Sequence, residues 1–389
     1  MLFRSAEPLG SLGHDGPLPP LSTERQNVSD YFKEAVAVVT NPAIDRERET
    51  EHFSTQVIVG PRPPLAPNEL GHQSHVTLDS PLLLDHPNGH PLLPEKEYQE
   101  LAARSHCLTL GELLEHFPGR QTFRLHLTTL PGETVRQGLE RIAAAAVDMV
   151  RHGTQLLVLD DSQAFQNDQG WIDPILALGV VDRALRLGFS DPDPASSPTP
   201  LSINDAGKIN LPLMASRRPV NLRRRVGLVL RSGAIRNLHD LVMSIGLGAD
   251  AIAPYLLYEA ALDDAPRAKP GEGNSLRLAN TLKALRSGIE KCTSTMGIHE
   301  MRGYGRLFAS LGLGSDLAAA LGTTNYAGSE QGGLRWPDLD SDMETRAAVM
   351  RGEARAQLTR VNHIYPKVWK MAAQLGKGEI GRASCRERV

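Results

Sequence analysis

The chain has 389 residues, enough for one large α/β domain and part of a second. Its 42 basic and 45 acidic residues give a net charge of -3, which argues against a nucleic-acid groove or a polybasic membrane surface. Three cysteines, Cys107, Cys292 and Cys385, are too few and scattered for a disulfide framework or an iron–sulfur or C-x-x-C metal site, and no apolar run reaches the ~18 residues of a membrane span, so a cytoplasmic protein is expected.

Residues 6–25 are Gly- and Pro-rich and read as an irregular loop. Ser29-Asp30 then reads as the cap of a helix carrying Phe32, Val36 and Val39, stopped at Asn41-Pro42 because the residue before proline avoids the α region. Prolines and histidines between 60 and 98 predict a long surface excursion. The clearest order lies between 121 and 260. Residues 122–127 alternate as a strand and are followed by a helix bearing Val135, Leu139, Ile142, Ala146 and Val150. Leu156-Leu157-Val158-Leu159 is a continuous apolar run, the mark of a strand buried on both faces, with its helix over 171–187. An Asp/Pro/Ser insertion at 190–200 precedes a third strand at 226–230, a third helix at 234–245 and a fourth strand at Ala251-Ile252.

This alternation predicts an α/β fold of parallel βα units. A (β/α) barrel-like domain over 6–262 is favoured over a doubly wound sheet, because no strand-linked G-x-G-x-x-G is present. After a linker, residues 276–378 read as a mostly helical extension with no buried strand of its own. The last stretch, 379–389, lacks any hydrophobic period and reads as a non-native tail, as residues 1–5 do, so Cys385 is expected to carry no function.

Several residues could carry chemistry. Asp160-Asp161 end a buried strand, where barrel enzymes place catalytic groups, but aspartate there equally serves as a turn or helix cap. Arg231-Ser232-Gly233 ends the next strand and could hold an anion at a helix N-terminus, or Ser232 could simply cap it. With His239, Asp161 and Arg231 form the weak catalytic candidates. Asn41, Pro42, Asp45, Arg48 and Glu49 gather charges of both signs after a helix stop, as a docking segment or as a solvated turn. His72, His75, His86 and His90 lack a helix to align them and a third ligand, so no metal site is expected. Gly303-Tyr304-Gly305 lacks the third glycine and the strand of a phosphate loop, and Ser244 lies outside any G-x-S-x-G.

One ordered string is more specific. Ser232-Gly233-Ala234-Ile235-Arg236, His239, Gly246-Leu247-Gly248-Ala249-Asp250-Ala251-Ile252 and Pro254-Tyr255-Leu256 resemble the central domain of glutamate synthase in order and spacing. Glu7-Pro8-Leu9-Gly10-Ser11-Leu12-Gly13, the block from Asp30-Tyr31-Phe32-Lys33 to Arg48-Glu49, and Leu78-Asp79-Ser80-Pro81 are similar to earlier parts of that domain. Gly288-Ile289-Glu290-Lys291, Met296-Gly297-Ile298, Tyr304, Phe308 and Gly312-Leu313 resemble the opening of its flavin barrel. Three positions depart from the family pattern: Thr295 stands for a lysine, Arg231 for a glutamate and Ala253 for an asparagine.

The resemblance implies a central domain over 6–262 and the incomplete start of an FMN-binding domain over 276–378. It implies a large enzyme that hydrolyses glutamine at an N-terminal cysteine, channels ammonia, and reduces the 2-oxoglutarate adduct with FMN fed by an iron–sulfur cluster. The chain's own cofactor complement is expected to be none, its partners being the glutaminase and FMN-barrel parts of the same polypeptide and possible reductase subunits. Asn41, Pro42, Asp45, Arg48, Glu49, Ser232, Gly233 and Asp250 then become interdomain or structural residues. Two other functions stay open: an independent barrel enzyme acting on a small anionic substrate through Asp161, Arg231 and His239, and a degenerate scaffold.

Overall fold

The computed structural model describes residues 26–35, 51–62, 75–88, 91–166, 169–187, 221–263, 273–305 and 308–355, with Pro19 and two short strands at 202–203 and 209–210. It opens on a 3-10 turn, Val28–Tyr31, that runs into β1 (Phe32–Glu34). The first residues of the helix expected at this point, Phe32–Glu34, are therefore a strand, and Val36 and Val39 lie outside the described residues. Ser29 and Asp30 look like helix caps in sequence, but their side chains bond to distant residues and not to a following helical turn. An antiparallel pair follows, β2 (Val57–Val59) with β3 (Val76–Leu78). Helices α1 (Glu95–Arg104) and α2 (Leu110–Glu115) come next, the second opened by a Thr109–Glu112 capping box.

The centre is a parallel sheet. Strand β4 (Thr122–His126) pairs with β5 (Leu156–Asp160), in register from Thr122 opposite Leu156 to His126 opposite Asp160. Beyond the small β6 (Ser202–Ile203) and β7 (Ile209–Asn210) pair, β5 is joined by β8 (Gly227–Arg231), which in turn pairs with β9 (Ala251–Ala253). Every residue of β5, β8 and β9 is buried, as continuous apolar runs require when helices cover both faces. The crossovers are α3 (Val135–Arg151), α4 (Pro174–Arg186) and α5 (Leu238–Gly246), and α6 (Tyr255–Asp263) leaves β9. Helix α4 starts where Asp173 accepts the Ile175 and Leu176 amides and proline supplies the first helical residue.

The sheet extends past β9 through a segment read as surface excursion. Leu82 bridges Ile252 in parallel and Leu84 bridges Thr109 in parallel, and Leu82, Leu83 and Leu84 are buried. Three leucines among prolines are too short a run to show a period, and their strand character comes from partners far along the chain. The lateral order is thus β4, β5, β8, β9, 82–84, 108–110. The first four advance in sequence order, as in a barrel wall, without the reversal of a doubly wound sheet. Among the described residues the wall stays open.

After α7 (Asn274–Met296), stopped by left-handed Gly297, the chain forms β10 (Phe308–Leu311), α8 (Ser315–Leu321), β11 (Asn325–Tyr326) and α9 (Trp336–Met350). Strand β10 lies where only helices were expected. Leu307, Leu311 and Leu317 fit a helical spacing, but Phe308, Ala309 and Ser310 are buried between β1 and β11. The Phe32 and Phe308 rings meet edge to face at 5.4 Å, worth about 0.5–1.5 kcal/mol beyond area burial. One apolar cluster runs from the sheet leucines to Phe32, Phe308 and Trp336.

Candidate functional site

The register of the sheet sets His126, Asp160, Arg231 and Ala253 in one row at the carboxyl ends of the strands. Buried Arg231 donates from Nε to Asp85 Oδ2 (2.6 Å), from Nη1 to Asp160 Oδ1 (3.1 Å), and from Nη2 to the His86 carbonyl and Asn88 Oδ1 (both 3.0 Å). Its guanidinium carbon also lies 4.5 Å from the centre of the Tyr255 ring. Asp160 accepts further from Arg124 Nη1 (2.8 Å) and the Ser162 amide (2.9 Å). Burial alone would raise the Asp160 carboxyl, yet these bonds and the Arg231 charge hold it below the usual carboxylate range.

Asp161 faces a different set of donors. It accepts Ser232 Oγ (2.6 Å), the Gly233 amide (3.0 Å) and the Tyr255 hydroxyl (2.9 Å). Burial pushes its pKa up against those hydrogen bonds. Ser232 Oγ in turn accepts the Ala234 amide at 3.0 Å, and a Cβ on Gly233 would sit 2.5 Å from Leu256. The turn after β8 therefore uses the serine hydroxyl, and a side chain at Gly233 would displace Leu256. A guanidinium with this many protein acceptors has little left to hold a substrate anion.

His239 lies on α5, not in this row, and its Nε2 meets the Ser29 carbonyl at 2.8 Å. It belongs to a second cluster that anchors the 3-10 turn. Arg236 donates to both Asp240 (2.8 Å from Nε) and Asp30 (2.9 Å from Nη2), and Ser29 Oγ donates to Asp240 Oδ1 (2.6 Å). Burial would raise the Asp240 carboxyl, but the Arg236 bonds and charge, with Ser29, keep it low. The Val28 amide reaches Asp173 at 3.4 Å, and Arg346 of α9 donates to Asn27 Oδ1 (3.0 Å) while lying 4.3 Å from the Trp171 ring centre. One short segment is thus held by α4, α5 and α9, and through β1 by β10.

Asp250 sits at the opposite, amino end of the strands. Its carboxylate accepts Arg223 Nη2, Arg62 Nη2 and the Leu228 amide, each at 2.8 Å. Arg223, itself buried, also donates to Asp182 (3.1 Å), which takes Arg186 Nε at 2.7 Å. Gly248 closes this cluster with a φ of 120°, and a Cβ there would meet the Asp182 carboxylate at 2.6 Å.

Asp161 and Arg231 share Tyr255, whose hydroxyl bonds the one and whose ring faces the other, while His239 is held elsewhere by Ser29, and three cavities of about 710, 290 and 230 Å³ are lined by none of the three. Asn41, Pro42, Asp45, Arg48, Glu49, His72, His90 and residues 379–389 lie outside the described residues. His86 Nδ1 turns to the Pro87 carbonyl, and among the described residues no three His, Cys, Asp or Glu side chains gather as a metal set. The partners Asp85, Asn88, Asp182, Arg223 and Arg346 escaped the sequence reading. Their local signals were the basic run 223–225 and the i,i+4 spacings of Asp182 with Arg186 and of Asp342 with Arg346.

Comparison with known proteins decides the family. The model of the glutamate synthase central domain matches residues 1–188 and 203–314. The chain belongs to the glutamate synthase central domain family. The ferredoxin-dependent glutamate synthase of Pyropia yezoensis is 28% identical over 84% of this chain and 19% of its own length. For the NADPH enzyme's large chain of Bacillus subtilis the figures are 26%, 80% and 17%, and for the NADH enzyme of Schizosaccharomyces pombe 28%, 80% and 13%. The chain therefore spans less than a fifth of the length of these relatives. Solved chains of flavocytochrome b2 align with TM-scores of 0.30–0.31 over 51–69% of this chain at 12–14% identity, a likeness too slight to bear on the fold.

The three positions set apart in the resemblance each have local partners. Arg231 has the carboxylates Asp85 and Asp160, Thr295 donates its hydroxyl to the Lys291 carbonyl one helical turn back (2.8 Å), and the Ala253 carbonyl accepts the Ser232 amide (3.1 Å). The FMN and iron–sulfur cluster that the resemblance implies do not fit the described residues. Cys107 is kept protonated, burial pushing its thiol up to about 12, and Cys292 is buried on α7, so the pair offers no iron–sulfur donor set. The carboxyl ends of the strands, where a flavin would approach a barrel, are filled by Arg231, Tyr255 and the two aspartates.

Proposed function

We propose that this chain is the connecting domain of a glutamate synthase, the enzyme that converts glutamine and 2-oxoglutarate reductively into two glutamates, and that it has no turnover alone. It holds the glutaminase and FMN-barrel parts of one polypeptide in register and helps shape the path of ammonia between them. FMN, the iron–sulfur cluster and contacts with any reductase subunit belong to those other parts, in the cytoplasm. The observation that carries this reading is the saturation of Arg231 and Asp161 at the strand ends, where a barrel enzyme would keep unsatisfied groups. Support for the coupling role comes from the 27–34 segment, which ties α5 to β10 and α9.

The test has two parts. The purified chain, supplied with glutamine, or with 2-oxoglutarate, ammonia and reduced FMN, should form no glutamate; turnover would overturn the reading. Within the intact polypeptide, Arg236→Ala should raise the free ammonia released per glutamate formed, and an unchanged ratio would remove the coupling role.

A further inference from the structure

A cavity of about 710 Å³ lies between α1, the 80–82 loop and α7, away from the strand-end row. This volume falls within the ~300–1,000 Å³ of small-molecule sites. Among the described residues its wall carries three cations, Arg104, Lys283 and Arg286, and three hydroxyls, Ser80, Ser105 and Ser275, and no aspartate or glutamate. That is an unusual local balance in a chain whose net charge is -3. The other clusters of this domain pair each arginine with carboxylates at 2.6–3.1 Å. Here, among the described residues, Arg104 donates to Ser275 Oγ (3.0 Å), Lys283 has no ion pair, and Arg286 pairs with Glu290 at 3.4 Å, on a side where it also lines the 230 Å³ cavity with Glu51 and Asp79. The remaining wall is apolar, with Leu82 and Leu282 buried and Leu276 52% exposed at the rim.

We infer that this cavity binds an organic polyanion of metabolite size, carrying carboxylate or phosphate groups on a short carbon frame. Lys283 and Arg286, one turn apart on α7, meet one acidic group; Arg104, fixed by Ser275, meets a second across the cleft, and the leucines receive the frame. Cys107 in the same wall stays a protonated thiol and takes no covalent part. The site is independent of the connecting role proposed above.

Calorimetric titration of the full chain with citrate and, separately, with phosphoenolpyruvate tests this, with glycerol as the neutral control. At least one anion should bind with a Kd under about 1 mM and weaken as salt rises. Binding of citrate alone assigns a carboxylate ligand, and of phosphoenolpyruvate alone a phosphate. The double variant Lys283→Ser/Arg286→Gln should lose at least about tenfold in affinity. Leu276→Glu, which adds a negative charge at the exposed rim, should weaken binding in the same direction and serves if the double variant misfolds. The inference fails if neither anion binds at 10 mM (about ten times the expected Kd), if glycerol binds as well, or if the variants bind like the parent. It fails too if the intact polypeptide no longer binds, because another domain then fills the cleft.

Discussion

The strand-end row and the α7 cavity both centre on arginine and end in opposite states. In the row, one buried guanidinium is shared among Asp85, Asp160, Asn88 and a carbonyl, with an aromatic ring on its face. In the cavity, three cations line a cleft whose described wall carries no carboxylate, and Arg286 meets Glu290 at a longer 3.4 Å. Charge that is matched inside the protein fixes geometry; charge left facing solvent can recruit a ligand. A parallel sheet places its functional groups by topology, but the count of acceptors around each cation decides whether they are available.

Four substitutions would break or sharpen this contrast. The largest loss is expected for Arg231→Met, which leaves half-buried Asp85 without its cation and buried Asp160 with Arg124 alone; urea unfolding should show about 3 kcal/mol. Gly248→Ala comes next, at about 2 kcal/mol, because a left-handed backbone and the Asp182 carboxylate both oppose the added methyl. Asp240→Asn should act mainly through pH. The folded pKa of Asp240 lies below its unfolded value, so its stabilisation is present in full above pH ~4 and is lost as pH falls through the folded pKa. The variant should be less stable at pH 6 and should lose less than the parent on acidification to pH 3 (roughly one unit below the unfolded pKa). Lys283→Ala, on exposed α7 surface, should change stability by no more than about 0.5 kcal/mol. A larger drop there would mean that the cavity cations are structural after all.

The α/β core was legible because its signals are local. Residues 156–159 and 226–230 announce buried strands by composition alone, and helices α3, α4 and α5 fall within a few residues of their expected places. What the sequence concealed are the long-range pairings. Leu82-Leu83-Leu84 becomes a sheet segment only beside Ile252 and Thr109, and Phe32 becomes a strand residue only against β10. The site residues divided in the same way: Asp161, Ser232 and Gly233 are readable as strand-end turn chemistry, whereas Asp85 and Asn88 meet Arg231 from about 145 positions away.

The pairing of β1 with β10 also sets an order in time. Phe32 leaves the ribosome long before its partner Ser310, and at ~5–20 residues per second the wait is on the order of tens of seconds. By the last part of that interval the β4, β5, β8 and β9 sheet can already be complete, since all four strands lie between 122 and 253. The antiparallel seam between 32–34 and 308–310 is then a closing stitch, made after the body it fastens.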